Sequence, residues 1–463
     1  MSIPLGKIEH THFSTTTSAT ANETVPAKEV IPSDYMGAYD REVWAKNGEG
    51  VYLEGAVPGR DGINFPTAVQ EILDATTVAE TRVVKLTDSL YVIGLLVADT
   101  SFTAYACSLS GTTLTAGTAV HINTDAAADT DSINMCRVND TTFAAVYRDE
   151  AGDDKSCVRL GTVSGTAITM LDELELATAT ETGIGVCYMP SVACVVVAYN
   201  TATDLVAQAI PYATTYDDDY LGTAGSAVVI EADGSTVTAC CEMASGYVFV
   251  AFDDGSDNYL DAAVATVSTA GAIGTFGTQK AIQAKAPTML KCVKAEENAV
   301  IVGWIEATTS NDPYIVKCTT AAAGTTITAG TPVACAAATA TDFSFDMIDN
   351  TQGIAVWCDD DHALDLGYAV RFSVAAGTTT TVTMDSTVDK FTEATAKLGT
   401  LKAMDCACTK GGKVVIGYSG LAGDLYGAVG QYYENRIIDI RSTATSATAT
   451  FNVSPIWNDR VTT

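Results

Sequence analysis

Apolar runs that end in an aromatic residue recur along this chain. They read FAAVY to Tyr147, VVVAY to Tyr199, VFVAF to Phe252, VIVGW to Trp304, GIAVW to Trp357 and VVIGY to Tyr418. A degenerate copy, IGLLV, ends at Val97. Successive anchors lie 50, 52, 53, 52, 53 and 61 residues apart. Runs this continuous predict strands buried on both faces.

The same grammar surrounds each run. A short alternating strand precedes it, as at Ile133–Val138 and Met289–Val293. A polar hairpin rich in Asp and Gly follows, as RDEAGDD at 148–154, DDGSDN at 253–258 and CDDDHALD at 358–365. A third strand of small apolar residues comes next, as at Leu260–Val267 and Leu425–Val429, and a Ser/Thr/Gly turn leads to a fourth. A second self-similarity keeps the same period: GTTLTAGTAV at 111–120 returns as GTTITAGTPV at 324–333. Fixed periods of this length are the mark of repeat architectures.

Four strands per unit, turn signals at short intervals and no helical periodicity predict an all-β fold. The expected architecture is a seven-bladed β-propeller of four-stranded antiparallel blades over 61–441, with an irregular N-terminal arm at 1–60 and a C-terminal extension at 442–463. Solenoid coils are shorter and Ig-like sandwiches are about twice as long. Closing the ring lets every blade pack against two neighbours. Residues 64–72, NFPTAVQEI, read as a lone fourth strand that closes the last blade, and the RIIDIRS segment beginning at Arg436 competes for that place. Between 376 and 400 the spacing lengthens, which predicts an insertion.

Charge narrows the functional classes. The 463 residues carry 56 acidic against 25 basic side chains, a net charge of −31. Such a field repels phosphate backbones, so a nucleic-acid partner is not expected. No apolar run is long enough to span a membrane, and the N-terminus does not read as a signal peptide. The thirteen cysteines do not follow a disulfide framework. Cys136, Cys187, Cys240, Cys292 and Cys406 hold similar places in successive repeats, where a thiol acts as a small buried hydrophobe. Zinc ligation at Cys406/Cys408 or Cys240/Cys241 is the sharper alternative, but no C-x-x-C pair or nearby histidine completes it.

Catalytic residues: none are expected. Only four histidines are present, His10, His12, His121 and His362, and no nucleophile signature flanks them. The S-x-D-x-G-x-x-W boxes of sialidases and the WD and kelch signatures are absent. The hairpin carboxylates remain. Asp99, Asp149, Asp254, Glu306 and Asp359 each sit two residues past an anchor, and Asp154, Asp204, Asp312, Asp365 and Asp424 follow across the hairpin. Asp149, Asp154, Asp254, Asp257, Asp359 and Asp365 are Ca²⁺ candidates, since that ion takes many oxygen ligands. Asp is equally a good turn residue, so both readings stand. In the terminal segments, His10, His12, Phe13, Tyr35, Trp44 and Trp457 are candidates for partner contacts. An arm of this kind docks by strand addition, or is simply a frayed end.

The stretch FAAVYRDEAGDDKSCVRLGTVSGTAITM at 143–170 resembles a degenerate repeat of bacteriophage tail and other virion proteins. The resemblance spans roughly 64–441 and brings no catalytic or binding residues with it. It implies a multi-copy structural or host-attachment component of a phage particle, made in the host cytoplasm. Its arm would meet other virion proteins, and its ring a host glycan or receptor. The alternative is a bacterial carbohydrate-binding, lectin-like β-propeller, which repeated pockets between blades would favour.

Overall fold

In the computed structural model the propeller is described from residue 62 to 433. Excepted are 66–69, 74–77, 98–100, 124–129, 150–154, 179–182, 202, 215–219, 308–310, 323, 360–365, 392–403 and 420–424. Outside it only short strands are described, without their side chains. Among the described residues there is no helix.

Seven antiparallel sheets follow one another along the chain. Their first strands are Val78–Thr87, Thr130–Arg137, Gly185–Met189, Thr238–Ala244, Pro287–Glu296, Ala340–Met347 and Met404–Cys408. Each contacts the first strand of the next sheet, and Met404–Cys408 returns to Val78–Thr87, which closes the ring. The expected seven-bladed β-propeller is therefore present, and we number the blades one to seven in this order.

The second strands carry the anchors, and burial explains their sequence. Cys194–Asn200 and Ala299–Glu306 are buried at every position. Tyr147, Tyr199, Phe252 and Trp304 are fully enclosed, and Trp357 and Tyr418 nearly so. A strand packed between two neighbouring blades has no polar face to alternate with.

The outermost strands of blades one and five are broken, and the repeated Thr-Ala-Gly motif sits at each break. In blade one Thr113–Ala116 and Val120–His121 both pair with Ser101–Ser110, and in blade five Ile327–Ala329 and Val333–Ala334 both pair with Pro313–Thr320. At the break the amides of Gly117 and Gly330 donate to the Ala106 and Lys317 carbonyls. A Cβ on Gly117 would lie 2.0 Å from the Thr166 carbonyl oxygen of blade two, and one on Gly330 would lie 2.5 Å from that of Thr380 in blade six. Glycine here lets two blades touch backbone to backbone.

The last blade is completed from the other end of the chain. Gln70–Leu73 pairs antiparallel with Leu425–Tyr433, and Gly62–Asn64 lies beside the same strand. RIIDIRS goes elsewhere. Ile437–Ser442 pairs with Tyr52–Ala56 and with Thr448–Ile456. The compact unit that holds the ring spans Ile63–Gln431.

The terminal segments form a second unit, made of 1–62 and 432–463. Seven of their strands share one sheet. The pieces at Glu9–His10, Ser18–Thr20, Glu29–Ile31 and Val43–Lys46 are too short to carry a visible period. Ser18–Thr20 pairs with Thr448–Ile456, whereas Glu9–His10 pairs with Glu29–Ile31, which pairs in turn with Val43–Lys46.

Candidate binding sites on the propeller

The hairpin carboxylates are not gathered at one point. Asp149 lies on blade two, Asp254 and Asp257 on blade four and Asp359 on blade six. Asp154 and Asp365 lie outside the described residues. Asp254 serves its own turn: its Oδ1 accepts from the Ser256 amide at 2.9 Å and the Ser256 hydroxyl at 2.8 Å. Among the described residues no group of three or more His, Cys, Asp or Glu side chains has the geometry to hold a metal ion. His10 and Trp44 fall in strands whose side chains are not described, and His12, Phe13, Tyr35 and Trp457 lie outside the described residues.

Blade four holds an acid that sequence reading passed over. Asp261 is buried, pairs across the strands with Phe252, and its Oδ1 has no partner. Burial pushes its carboxyl up to about 6, helped by the charges of Asp254, Glu231 and Asp257 and opposed by Lys280.

The first strands enclose a central channel of about 700 Å³. Each presents an unpaired edge to the channel, and side chains of the preceding blade cover these edges. On Ala340–Met347 alternate residues face the same way, so Asp342, Ser344 and Asp346 form a row. They accept from the amides of Met404 at 2.7 Å, Cys406 at 3.3 Å and Cys408 at 2.6 Å. Asp405 in turn accepts from the Val83 amide at 2.7 Å, across the ring closure. Asn134 donates to the Ile184 carbonyl at 2.8 Å.

Lys291 balances this acidic seam. Its Nζ lies 2.6 Å from Asp405, 3.0 Å from Ser344 Oγ and 3.1 Å from the Cys406 carbonyl. Burial acts to lower its pKa, but Asp405 and its neighbours outweigh burial and hold it above the usual range. For Asp405, burial acts upward, and Lys291 and Arg82 overcome it, so the carboxyl stays below its usual range. Each of these groups serves an edge of the ring, so this part of the channel is a structural polar network.

The interblade clefts carry the other chemistry. Trp304 stacks on Tyr314, with centroids 5.7 Å apart and planes at 19°. Trp357 stacks on Tyr368 at 5.8 Å and 23°, and Tyr418 on Tyr426 at 5.8 Å and 26°. In all three the anchor is buried and its cross-strand partner is half-exposed. Trp304 packs against blade four, Trp357 against blade five, and Tyr418 meets Phe391 of blade six edge-on at 5.6 Å. The indole N–H groups of Trp304 and Trp357 and the Tyr418 hydroxyl have no hydrogen-bond partner.

Polar groups flank the first two pairs. Beside Trp304, the buried carboxylate of Glu306 accepts from Lys285 Nζ and, at 3.2 Å, from Gln283 Nε2. Burial raises the Tyr314 hydroxyl pKa, with smaller contributions from Glu306 and Asp312, which places both acids near it. In blade six Lys390 Nζ lies 6.0 Å from the Tyr368 ring centroid, and burial and then Asp359 raise the Tyr368 hydroxyl. Glu306, Asp312 and Asp359 were visible in the sequence as hairpin acids. Tyr314, Tyr368 and Tyr426 were not, because nothing local marks a half-exposed tyrosine as the partner of a residue eight to eleven positions earlier.

The sequence matches no family model and no curated protein. Similar folds occur among solved structures. The BP39L lectin from Burkholderia pseudomallei has a TM-score of 0.50 and 12% identity, with 78% of this chain and 99% of the lectin covered. The lectin from Aleuria aurantia, described as a six-bladed β-propeller with a fucose recognition mode, gives 0.37 at 15% identity, over 68% of this chain and 96% of that one. Prolyl oligopeptidase B from Galerina marginata gives 0.42 at 10% identity, over 83% of this chain. This chain spans about half, 52%, of that enzyme's length. The last two likenesses are too loose to argue from, and the first is a likeness of fold: this chain is a β-propeller similar in architecture to a lectin.

Proposed function

We propose that this chain is a non-catalytic, carbohydrate-binding β-propeller that holds sugar rings in the interblade clefts of blades five to seven. The observation behind this reading is the repetition of one stacked, half-buried aromatic pair in three successive clefts, the first two flanked by polar groups. A sugar ring offers an apolar C–H face and a rim of hydroxyls. An aromatic face packs against the first, and carboxylate, amide and ammonium groups bind the second. Glu306, Gln283 and Lys285 supply that second set in the cleft between blades four and five. The likeness to a bacterial lectin, at the level of fold, agrees with it.

The particle reading rests on the resemblance of the repeats alone. A host-attachment protein that binds a surface glycan would satisfy both readings. The test is a glycan array probed with the purified chain, followed by calorimetric titration of whichever sugar is retained. Tyr314→Ala and Tyr368→Ala should each weaken their cleft by about tenfold, or 1.4 kcal/mol. A chain that holds no glycan above background would refute the proposal.

A further inference from the structure

Four of the thirteen thiols are arranged in two pairs that cross blade interfaces. Because successive residues of a strand face opposite ways, the adjacent Cys240 and Cys241 of blade four point to different neighbours. Cys240 packs with Cys187 of blade three, and Cys241 with Cys292 of blade five. Each pair lies within a single buried cluster that spans its blade interface. The strands themselves run close: a Cβ on Gly185, two residues before Cys187, would lie 3.3 Å from the backbone of Ala239 and Cys240. Disulfides need this kind of approach, with facing Cβ atoms and neighbouring backbones.

The pairs are also reachable. Cys187, Cys240, Cys241 and Cys292 all line the central channel. They keep 6, 5, 7 and 8% of their surface exposed, whereas Cys107, Cys194, Cys318 and Cys408 have none. A small reagent inside the channel therefore meets these thiols before those.

We infer that Cys187–Cys240 and Cys241–Cys292 form two interblade disulfides when a small diffusible oxidant enters the channel, fastening blades three, four and five together. All thirteen cysteines are free in the structure. For each bond two S–H bonds break and one S–S bond forms. The two protons and two electrons pass to the oxidant: a low-molecular-weight disulfide leaves as two thiols, and a diazene as the corresponding hydrazine. The hydrogen bond to Cys240, together with burial, holds the Cys187 thiol well above the usual range, and burial with the Cys241 contact does so for Cys292. Oxidation is therefore slow near neutrality and faster in mild alkali, where thiolate is more abundant.

The full chain, treated with diamide at about pH 8.5 and then denatured, should titrate as nine free thiols instead of thirteen. Non-reducing chymotryptic mapping should give one species that joins three peptides, those containing Cys187, Cys240–Cys241 and Cys292. In Cys241→Ser only the link between Cys187 and Cys240 should persist, and in Cys240→Ser only that between Cys241 and Cys292. The oxidised wild type should melt about 5 °C or more above the reduced form. Thirteen titratable thiols after treatment, or a joined species in which Cys187 is tied to Cys136, would overturn the inference. The wild-type map decides the matter even where a serine variant fails to fold.

Discussion

Blades two to four and blades five to seven share a backbone plan but differ at one cross-strand position. Opposite the anchors Tyr147, Tyr199 and Phe252 stand Cys157, Val206 and Asp261. Opposite Trp304, Trp357 and Tyr418 stand Tyr314, Tyr368 and Tyr426. The polar tips differ as well. The hydroxyls of Tyr147 and Tyr199 donate to Glu173 and Gln208, whereas the three later anchors leave theirs unpartnered. The tyrosine anchors of one half are thus closed by hydrogen bonds, and the anchors of the other retain aromatic surface and spare donors. The repeat builds a scaffold, and the departures from it are where the proposed sugar sites lie.

The heaviest blow to this comparison would be Trp304→Ala. It removes a fully enclosed side chain between blades four and five and should cost about 3–5 kcal/mol of stability, read by denaturant unfolding. A loss under 1 kcal/mol would mean that the cleft is not packed as described. Next come Tyr314→Ala and Val206→Ala, which occupy equivalent positions. The first should weaken sugar binding about tenfold and the second should leave it unchanged, as titration calorimetry can decide. Equal effects would erase the distinction between the two halves.

Asp261 allows a test by pH. Its folded-state pKa, about 6, is raised above the ordinary carboxylate value of 3.8, so the folded chain holds this proton more tightly. Its contribution to stability is therefore complete below about pH 4 and is lost as the pH rises through 6. Asp261→Asn should melt higher than the wild type at pH 7, with the advantage shrinking towards pH 4. A difference that does not change with pH would place the carboxyl in solvent.

The smallest contrast is also the sharpest. Tyr199→Phe deletes a hydroxyl bonded to Gln208 and should cost about 1 kcal/mol. Tyr418→Phe deletes an unpartnered one and should be neutral or slightly stabilising. If both lose the same stability by urea melts, the Tyr418 hydroxyl has a partner after all.

Much of the architecture was legible because burial in a propeller is local and repeated. Each anchor strand is enclosed on both faces, so its run of apolar residues is unbroken and can be counted. The Thr-Ala-Gly copies were legible for a similar reason, although their place at a break in the outer strand, where Gly117 meets the Thr166 carbonyl, was not. The hairpin acids suggested a cation, and the structure spreads the described ones over separate blades, with Asp254 turned into its own loop. Spacing along the chain could not separate those outcomes, because Asp favours turns and cations alike.

By itself the sequence determined the all-β class, the repeat, the number of anchors and the strands that had to be buried, since these follow from alternation and composition within a few residues. Tertiary structure alone decided which side chains meet. Asp342 covers the amide of Met404 and Cys187 shares a buried cluster with Cys240 across gaps of 62 and 53 residues, and Tyr314 stacks on Trp304. The reason is geometric: a strand's own pattern fixes which way each residue faces, but what it faces depends on the twist of the sheet and the closure of the ring.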